Sequence, residues 1–279
     1  MEANKWNNQA MNSEFVEVDG LRLHYRTHGE GDPVLLLHGW PTSSYLWRHV
    51  MEPMNGNRVI ALDLPGFGQS DKPLDASYSF RFYEKLLNNL LEVLGIERIG
   101  LAVHDLGGPV GLYWACRNPE RLSRLALLNT IVYPQMSWAV VAFVTACKAP
   151  ILRTFMSSPA GLHFAMRYGV TRSLDKEVIR AVQEPFKSQD ARRALLKAGG
   201  SLHPKGFVTI AKRLPDLEIP VRIIYGERDR ILPDVAKTMA RVKKDLPQAE
   251  ITSFNDCGHF LQEQRGEEIG RLLNEFFAA

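Results

Sequence analysis

Short, unbroken apolar runs recur at intervals along this 279-residue chain and restrict its fold more than any other feature. Residues 33–38, Pro-Val-Leu-Leu-Leu-His, form such a run bounded by glycine, and 57–62, 98–103, 122–128 and 221–225 repeat the signature. A strand covered by protein on both sides has no wet face to mark by alternation, so these runs read as central strands of a parallel sheet. Stretches with apolar residues at helical spacing lie between or after them, at 80–94, 107–117, 233–246 and 263–277. This alternation predicts an α/β fold with a mostly parallel central sheet flanked by helices on both faces. Ahead of it, 14–28 alternates apolar and polar residues around Asp19-Gly20, which predicts a hairpin with a two-residue turn.

One stretch breaks the rhythm. From 131 to 214 helical patterns continue, with scattered Pro and Gly but no central-strand run. We expect a helical lid there, inserted into a core made of 14–130 and 215–279, after a flexible tail at 1–13. The length permits one core, since α/β folds reach about 250 residues as a single unit. Charge singles out the same region: 150–214 holds 12 Lys/Arg against 4 Asp/Glu, while the rest holds 22 against 27. The total of +3 is too small to argue for a nucleic-acid partner. The local excess is expected mainly on solvated helix faces. The longest apolar run, 138–147, is well short of the about 20 residues that span a bilayer. No secretory signal fits the Asn-rich start, and Cys116, Cys147 and Cys257 lack disulfide or metal-ligand spacing, so a reducing, cytoplasmic compartment is the default expectation.

In an open α/β sheet, reacting groups collect at the carboxyl ends of the strands. The run ending at 38 is followed by Gly39-Trp40-Pro41, and the one ending at 103 by His104-Asp105-Leu106-Gly107-Gly108. After 225 comes Gly226-Glu227-Arg228-Asp229, and a last short strand at 251–254 leads to Asp256-Cys257-Gly258-His259-Phe260. These tips supply two carboxylates and an imidazole in the order Asp105, Asp229, His259. Asp105 is also of a type that caps helices, and Glu227 competes with Asp229 as the second acid. His38 and His104 read as structural residues at strand ends, and Cys257, lacking a base of its own, as a small buried filler.

Nucleophile, acid, histidine is the chain order of the α/β-hydrolase fold, with Asp105 where a G-x-S-x-G turn would carry serine. Here the chain resembles α/β-hydrolases with an aspartate nucleophile, the haloalkane dehalogenases and epoxide hydrolases, over nearly all of its length outside 131–214. His-Gly-Trp-Pro-Thr-Ser-Ser-Tyr-Leu-Trp at 38–47, Asp-Leu-Pro-Gly-Phe-Gly-Gln-Ser-Asp-Lys-Pro at 63–73, His-Asp-Leu-Gly-Gly at 104–108 and Gly-His-Phe-Leu-Gln-Glu at 258–263 carry the resemblance and look most like dehalogenase sequences. It implies Asp105 as nucleophile, His259 as general base and Asp229 as the acid that orients the imidazole. It also implies an oxyanion hole made by the backbone N–H groups of Trp40 and Leu106. Neither a metal nor an organic cofactor is implied; the partners are a small hydrophobic substrate and water, and the oligomeric state is left open.

Aspartate in place of serine decides the reaction class. A carboxylate with an ordinary pKa of about 3.9 is ionised at neutral pH and attacks without a base. Attack on an ester carbonyl would give an anhydride, whereas attack on an sp³ carbon with a leaving group, or on a strained ring, gives an alkyl-aspartyl ester. Water activated by His259 then attacks the Asp105 carbonyl carbon and regenerates the acid.

The leaving-group residues depart from both resembled families. Dehalogenases usually hold the halide with a Trp directly after the nucleophile and a donor within His-Gly-x-Pro; those positions are Leu106 and Trp40. One donor is lost, and the indole N–H of Trp40 is expected to supply a single halide contact. Epoxide hydrolases normally protonate the ring oxygen with two lid tyrosines, for which Tyr133 and Tyr168 are the candidates; 170–220 contains no Tyr. Trp138 and Phe155 are candidates to line an apolar slot. The expected function is haloalkane dehalogenase-like hydrolysis of a small hydrophobic alkyl electrophile. Epoxide hydrolysis is the close alternative, and a receptor that binds a small ligand without turnover is the alternative of another class.

Overall fold

In the computed structural model, which describes residues 11–279, the alternating segment near the start is a hairpin of β1 (Asn12–Val18) and β2 (Leu21–His28). Asp19 and Gly20 take positive φ angles of 52° and 74°, the conformation that a two-residue turn needs to match the strands' twist. Of the tail expected at 1–13, residues 1–10 lie outside the described residues. Asn12 and Ser13 belong instead to β1, because Ser13 pairs with Arg26 across the hairpin and its hydroxyl meets the His24 ring at 2.8 Å.

The apolar runs become β3 (Asp32–Leu37), β4 (Asn57–Leu62), β5 (Ile99–Asp105), β6 (Leu122–Thr130) and β7 (Val221–Gly226), with β8 (Glu250–Phe254) at the edge. Among the described residues they form an eight-stranded sheet in the order β1-β2-β4-β3-β5-β6-β7-β8. Pairing is antiparallel through β1, β2 and β4, and parallel from there to β8. Side chains alternate between two faces, and both are dry. Leu35, Leu37, Leu101, Val103 and Leu127 join one apolar cluster, while Val34, Leu36, Ala102, Ala126 and Leu128 join the other. That double burial is why the runs show no alternation; truncating one such leucine to alanine costs about 2–5 kcal/mol.

Helices cover both faces. The short α1 (Arg48–Met51) packs against α11 (Gln262–Ala278) on one side, and α2 (Phe80–Val93) against α3 (Gly107–Ala115) on the other. Between β6 and β7 the chain is helical: α4 (Trp138–Lys148), α5 (Pro150–Met156), α6 (Pro159–Tyr168), α7 (Lys176–Gln183), α8 (Gln189–Gly200) and α9 (Pro204–Arg213). Ser137, Ser158 and Ser188 start α4, α6 and α8 by accepting backbone N–H groups, and proline opens α5, α6 and α9, where its missing donor is harmless. This insertion meets the core where Phe207 of α9 stands edge-on to Phe80 of α2, with ring centroids 5.3 Å apart. The last core helix before β8, α10 (Val235–Asp245), packs beside β7.

Candidate active site

Asp105 ends β5 and enters the turn into α3 with a φ of 49°. Left-handed backbone at a non-glycine residue costs about 1–3 kcal/mol and persists where neighbours enforce it. Thr130, at the end of β6, enforces it by donating its hydroxyl to the Asp105 carbonyl at 2.7 Å. A Cβ at Gly39 would overlap the Asp105 carboxyl, and one at Gly108 would overlap the Thr130 hydroxyl, so both close approaches require glycine. The turn presents the carboxylate to donors: Oδ1 accepts the Trp40 backbone N–H at 2.7 Å, and the neighbouring Leu106 backbone N–H helps to hold its charge.

The imidazole of His259 lies buried between two carboxylates. Its Nδ1 donates to Asp229 Oδ2 at 2.8 Å, which turns Nε2 toward Asp105 Oδ2, 3.3 Å away. Asp229 accepts in addition from Asn129 Nδ2 at 2.7 Å and from the N–H groups of Ile231 at 2.8 Å and Leu232 at 2.7 Å. Glu227 is exposed and accepts the Ser253 hydroxyl, so Asp229 is the acid that reaches the ring. Burial by itself would push the imidazole pKa down; the charge of Asp229, with that of Asp105, outweighs it and lifts the value to about 10. Burial likewise favours protonated carboxyls, yet the facing imidazole holds both Asp105 and Asp229 below the usual carboxylate range. The two flanking carboxylates thus favour the protonated imidazole, hydrogen-bonded to Asp229 and facing Asp105.

The other conspicuous polar residues brace backbone. His104 Nε2 donates to the His259 carbonyl at 3.0 Å, and burial lowers its pKa to about 3. His38 Nδ1 donates to the Gly39 carbonyl at 2.9 Å, and its Nε2 accepts the Leu64 N–H at 3.1 Å, tying the ends of β3 and β4 together. Asp63 accepts the Ser44 N–H at 2.6 Å and meets His24 Nδ1 at 2.7 Å, which anchors the loop that carries Trp40. Burial raises the Cys257 thiol to about 11, leaving it a poor nucleophile.

Sequence reasoning passed over Asn129. Its Oδ1 accepts the Gly226 N–H at 2.9 Å while its Nδ2 donates to Asp229, so one buried amide fixes both the end of β7 and the acid. Its position at a strand tip was the available signal. Asn129→Ala strands a buried N–H and strips the acid of a donor; unfolding in urea is expected to show a loss of about 1–3 kcal/mol, with kcat lowered and KM little changed.

Over Asp105 lies a cavity of ≈ 430 Å³ with mainly apolar walls. Trp40, Leu106, Trp138 and Tyr168 line it, together with Phe143, Phe164, Leu202 and Phe260, which sequence reasoning did not single out. Two expected residues do not. Tyr133 is turned away because its hydroxyl donates to Asp245 of α10 at 2.7 Å and its ring lies under Arg241. Phe155 points off the exposed side of α5, its ring 6.4 Å from that of Phe164. The indole Nε1 of Trp40 is buried without a hydrogen-bond partner among the described residues, beside Gly199 and edge-on to Phe143.

Known proteins share this architecture. A family model described as alpha/beta hydrolase fold matches residues 32–266. A haloalkane dehalogenase of Sphingobium indicum is 33% identical, over 94% of this chain and 94% of its own length. A cis-3-alkyl-4-alkyloxetan-2-one decarboxylase of Shewanella oneidensis is 30% identical, over 94% of this chain and 87% of its own. The crystal structure of a haloalkane dehalogenase from Bradyrhizobium elkani superposes with a TM-score of 0.86 at 26% identity, covering 96% of this chain and 98% of that one.

Proposed function

The chain belongs to the α/β-hydrolase fold family, and we propose that it is a haloalkane dehalogenase-like hydrolase that opens small hydrophobic alkyl electrophiles through an ester on Asp105. One observation carries this reading: at the base of an apolar cavity, Oδ2 of Asp105 lies 3.3 Å from His259 Nε2 while Oδ1 accepts the Trp40 N–H. Oδ1 is occupied by a donor, so Oδ2 attacks the substrate carbon. A C–O bond forms, the carbon–halogen bond breaks, and the halide leaves with the bonding pair toward the unpartnered indole N–H of Trp40.

Esterification also resets the base. A neutral ester removes one of the two charges that hold the His259 proton, so the imidazole pKa falls and the proton departs with the halide as the net acid product. Neutral His259 then takes a proton from water as the oxygen attacks Cγ of the ester. The oxyanion forms on Oδ1, which already accepts the Trp40 N–H, with the Leu106 N–H as the second donor of the hole. Collapse expels the alcohol, protonated by His259, and restores the carboxylate. Asp229 keeps the Nδ1 proton in place throughout, and residues 131–214 act as the lid that keeps the cavity apolar.

A strained four-membered ring is the second reading. Leu106 offers no side-chain N–H beside the nucleophile, so a free halide is held by fewer donors than in the resembled enzymes, and a relative 30% identical is named for an alkyl-substituted oxetan-2-one. Epoxide hydrolysis has less support, since the Tyr133 hydroxyl is engaged by Asp245 and Tyr168 is the tyrosine on the cavity wall. Incubation with 1-bromoalkanes, epoxides and cis-dialkyl β-lactones, reading halide, diol and carbon dioxide, tests the assignment; halide release is the expected outcome, and inertness toward all three classes refutes it. Trp40→Phe sharpens the test. Loss of a hydrogen bond to a charged group, about 1.5–3 kcal/mol, predicts a drop of about 10- to 100-fold in kcat/KM for bromoalkanes. It also predicts loss of the wild-type fluorescence response to bromide. Equal responses in the two proteins would remove Trp40 from the leaving-group role.

A further inference from the structure

Helix α5 buries none of its residues although it is mostly apolar: Ile151 is 87% exposed, and Leu152 and Phe155 stand out beside it. Trp138 at 74% and Phe164 at 58% extend the patch onto α4 and α6. Isolated exposed hydrophobics are ordinary, but a contiguous group marks an interaction surface. Continuity is visible in the rings, since Phe155, Phe164 and Tyr168 follow one another at centroid distances of 6.4 and 5.7 Å. Trp138, Phe164 and Tyr168 also line the cavity above Asp105, so the patch runs into its mouth.

A basic groove adjoins it. Lys148, Arg153, Arg192, Arg193 and Lys197 line a groove of ≈ 790 Å³ between α4, α5 and α8, with no acidic side chain in its wall. Asp190 pairs with Arg193 at 3.3 Å, but Lys148 and Arg153 have no acidic partner among the described residues. The sequence has no Asp or Glu anywhere from 121 to 174.

We propose that this face of the insertion docks on the surface of an anionic lipid bilayer, α5 entering the headgroup region and the groove holding lipid phosphates, with the cavity mouth opened toward the apolar phase. Charge argues against a second copy, because an isologous contact would press the same cations together. An acidic protein would satisfy the groove, but it leaves unexplained why apolar side chains protrude from a helix that buries nothing. Apolar protrusion beside clustered cations is the pattern of interfacial membrane binding. The contact is peripheral: among the described residues no single helix is long and apolar enough to cross a membrane, and the apolar pair α4 and α5 is bent by 102°.

Sedimentation of the whole protein with phosphatidylcholine vesicles, with and without phosphatidylglycerol, tests this without reference to catalysis, so its failure leaves the proposed function standing. Binding is expected only with phosphatidylglycerol and weakens with salt. Ile151→Glu/Leu152→Glu and, separately, Lys148→Glu/Arg153→Glu are each expected to lower vesicle affinity about tenfold or more with thermal unfolding unchanged, as all four side chains are exposed. No binding to anionic vesicles, or binding that neither variant weakens, overturns the proposal. So does polyglutamate binding as tight as vesicle binding and indifferent to the apolar variant, which would point to an acidic protein. A wild-type dimer that the apolar variant makes monomeric, without vesicle binding, would overturn it in favour of self-association.

Discussion

His259→Gln protein mixed with a 1-bromoalkane is expected to release one equivalent of bromide, gain the mass of one alkyl group on the peptide that contains Asp105, and then stop. The two half-reactions differ in what they need. Alkylation needs an ionised Asp105 and a place for the halide; the halide's place is untouched, while loss of the imidazole raises the buried Asp105 carboxyl's pKa, so the first step is followed at alkaline pH, where the carboxylate still forms. Hydrolysis needs a base on the Nε2 side of the ring, 3.3 Å from Asp105 Oδ2, and glutamine cannot accept the proton. General-base assistance contributes about 10²- to 10⁴-fold, so turnover should fall by that much while the first halide equivalent appears at close to the wild-type rate. Steady turnover without an adduct would remove His259 from the second step.

Asp105→Asn should abolish turnover altogether, by about 10⁴-fold or more, because an amide neither carries the charge nor forms the ester. Its second effect reports on the electrostatics. With one of the two flanking carboxylates gone, the His259 pKa should fall from about 10 toward the ordinary imidazole range, held up now by Asp229 alone. The sign of the stability change follows. A folded pKa raised above the unfolded value stabilises the protein fully below the unfolded pKa, about 6.5, and that contribution disappears as pH rises through the folded value, here about 10. The loss of unfolding free energy between those two pH values should therefore be shallower in Asp105→Asn than in wild type. NMR titration of the His259 ring checks the shift, and urea unfolding across that pH window checks the slope; an unshifted ring and an unchanged slope would contradict this role of the two carboxylates.

What was readable in advance follows from the range of each interaction. The central strands are legible because burial on both faces leaves a purely local mark, as in 33–38, and the strand tips then single out Asp105, Asp229 and His259 as candidates, which the fold brings together. The choice between Asp229 and Glu227 is made by contacts that converge from three separate strands: Asn129 from β6, His259 after β8 and the turn after β7. Nothing local marks that convergence, which is also why Asn129 escaped notice. Tyr133 and Phe155 mislead for a related reason. A Tyr hydroxyl takes whichever partner lies in reach, and Asp245 of α10 lies 112 residues away in sequence; an apolar side chain on α5 reads as lining until its helix is seen to bury nothing. Strand order is equally silent in the pattern, since β4 standing between β2 and β3 depends on crossovers and not on any one segment. Residues 12–13 read as tail because pairing with β2 extends the strand beyond its alternating part.

The origin of the product's oxygen tests the central claim most directly. In a single turnover in water enriched with ¹⁸O, with enzyme in excess over a bromoalkane, an ester on Asp105 requires solvent oxygen to enter the carboxyl group while the alcohol leaves with an oxygen that Asp105 already held. Mass spectrometry is expected to find ¹⁸O in the Asp105 peptide and unlabelled alcohol. Labelled alcohol together with an unlabelled Asp105 peptide would mean that water attacks the substrate carbon itself, and would contradict the nucleophilic role of Asp105.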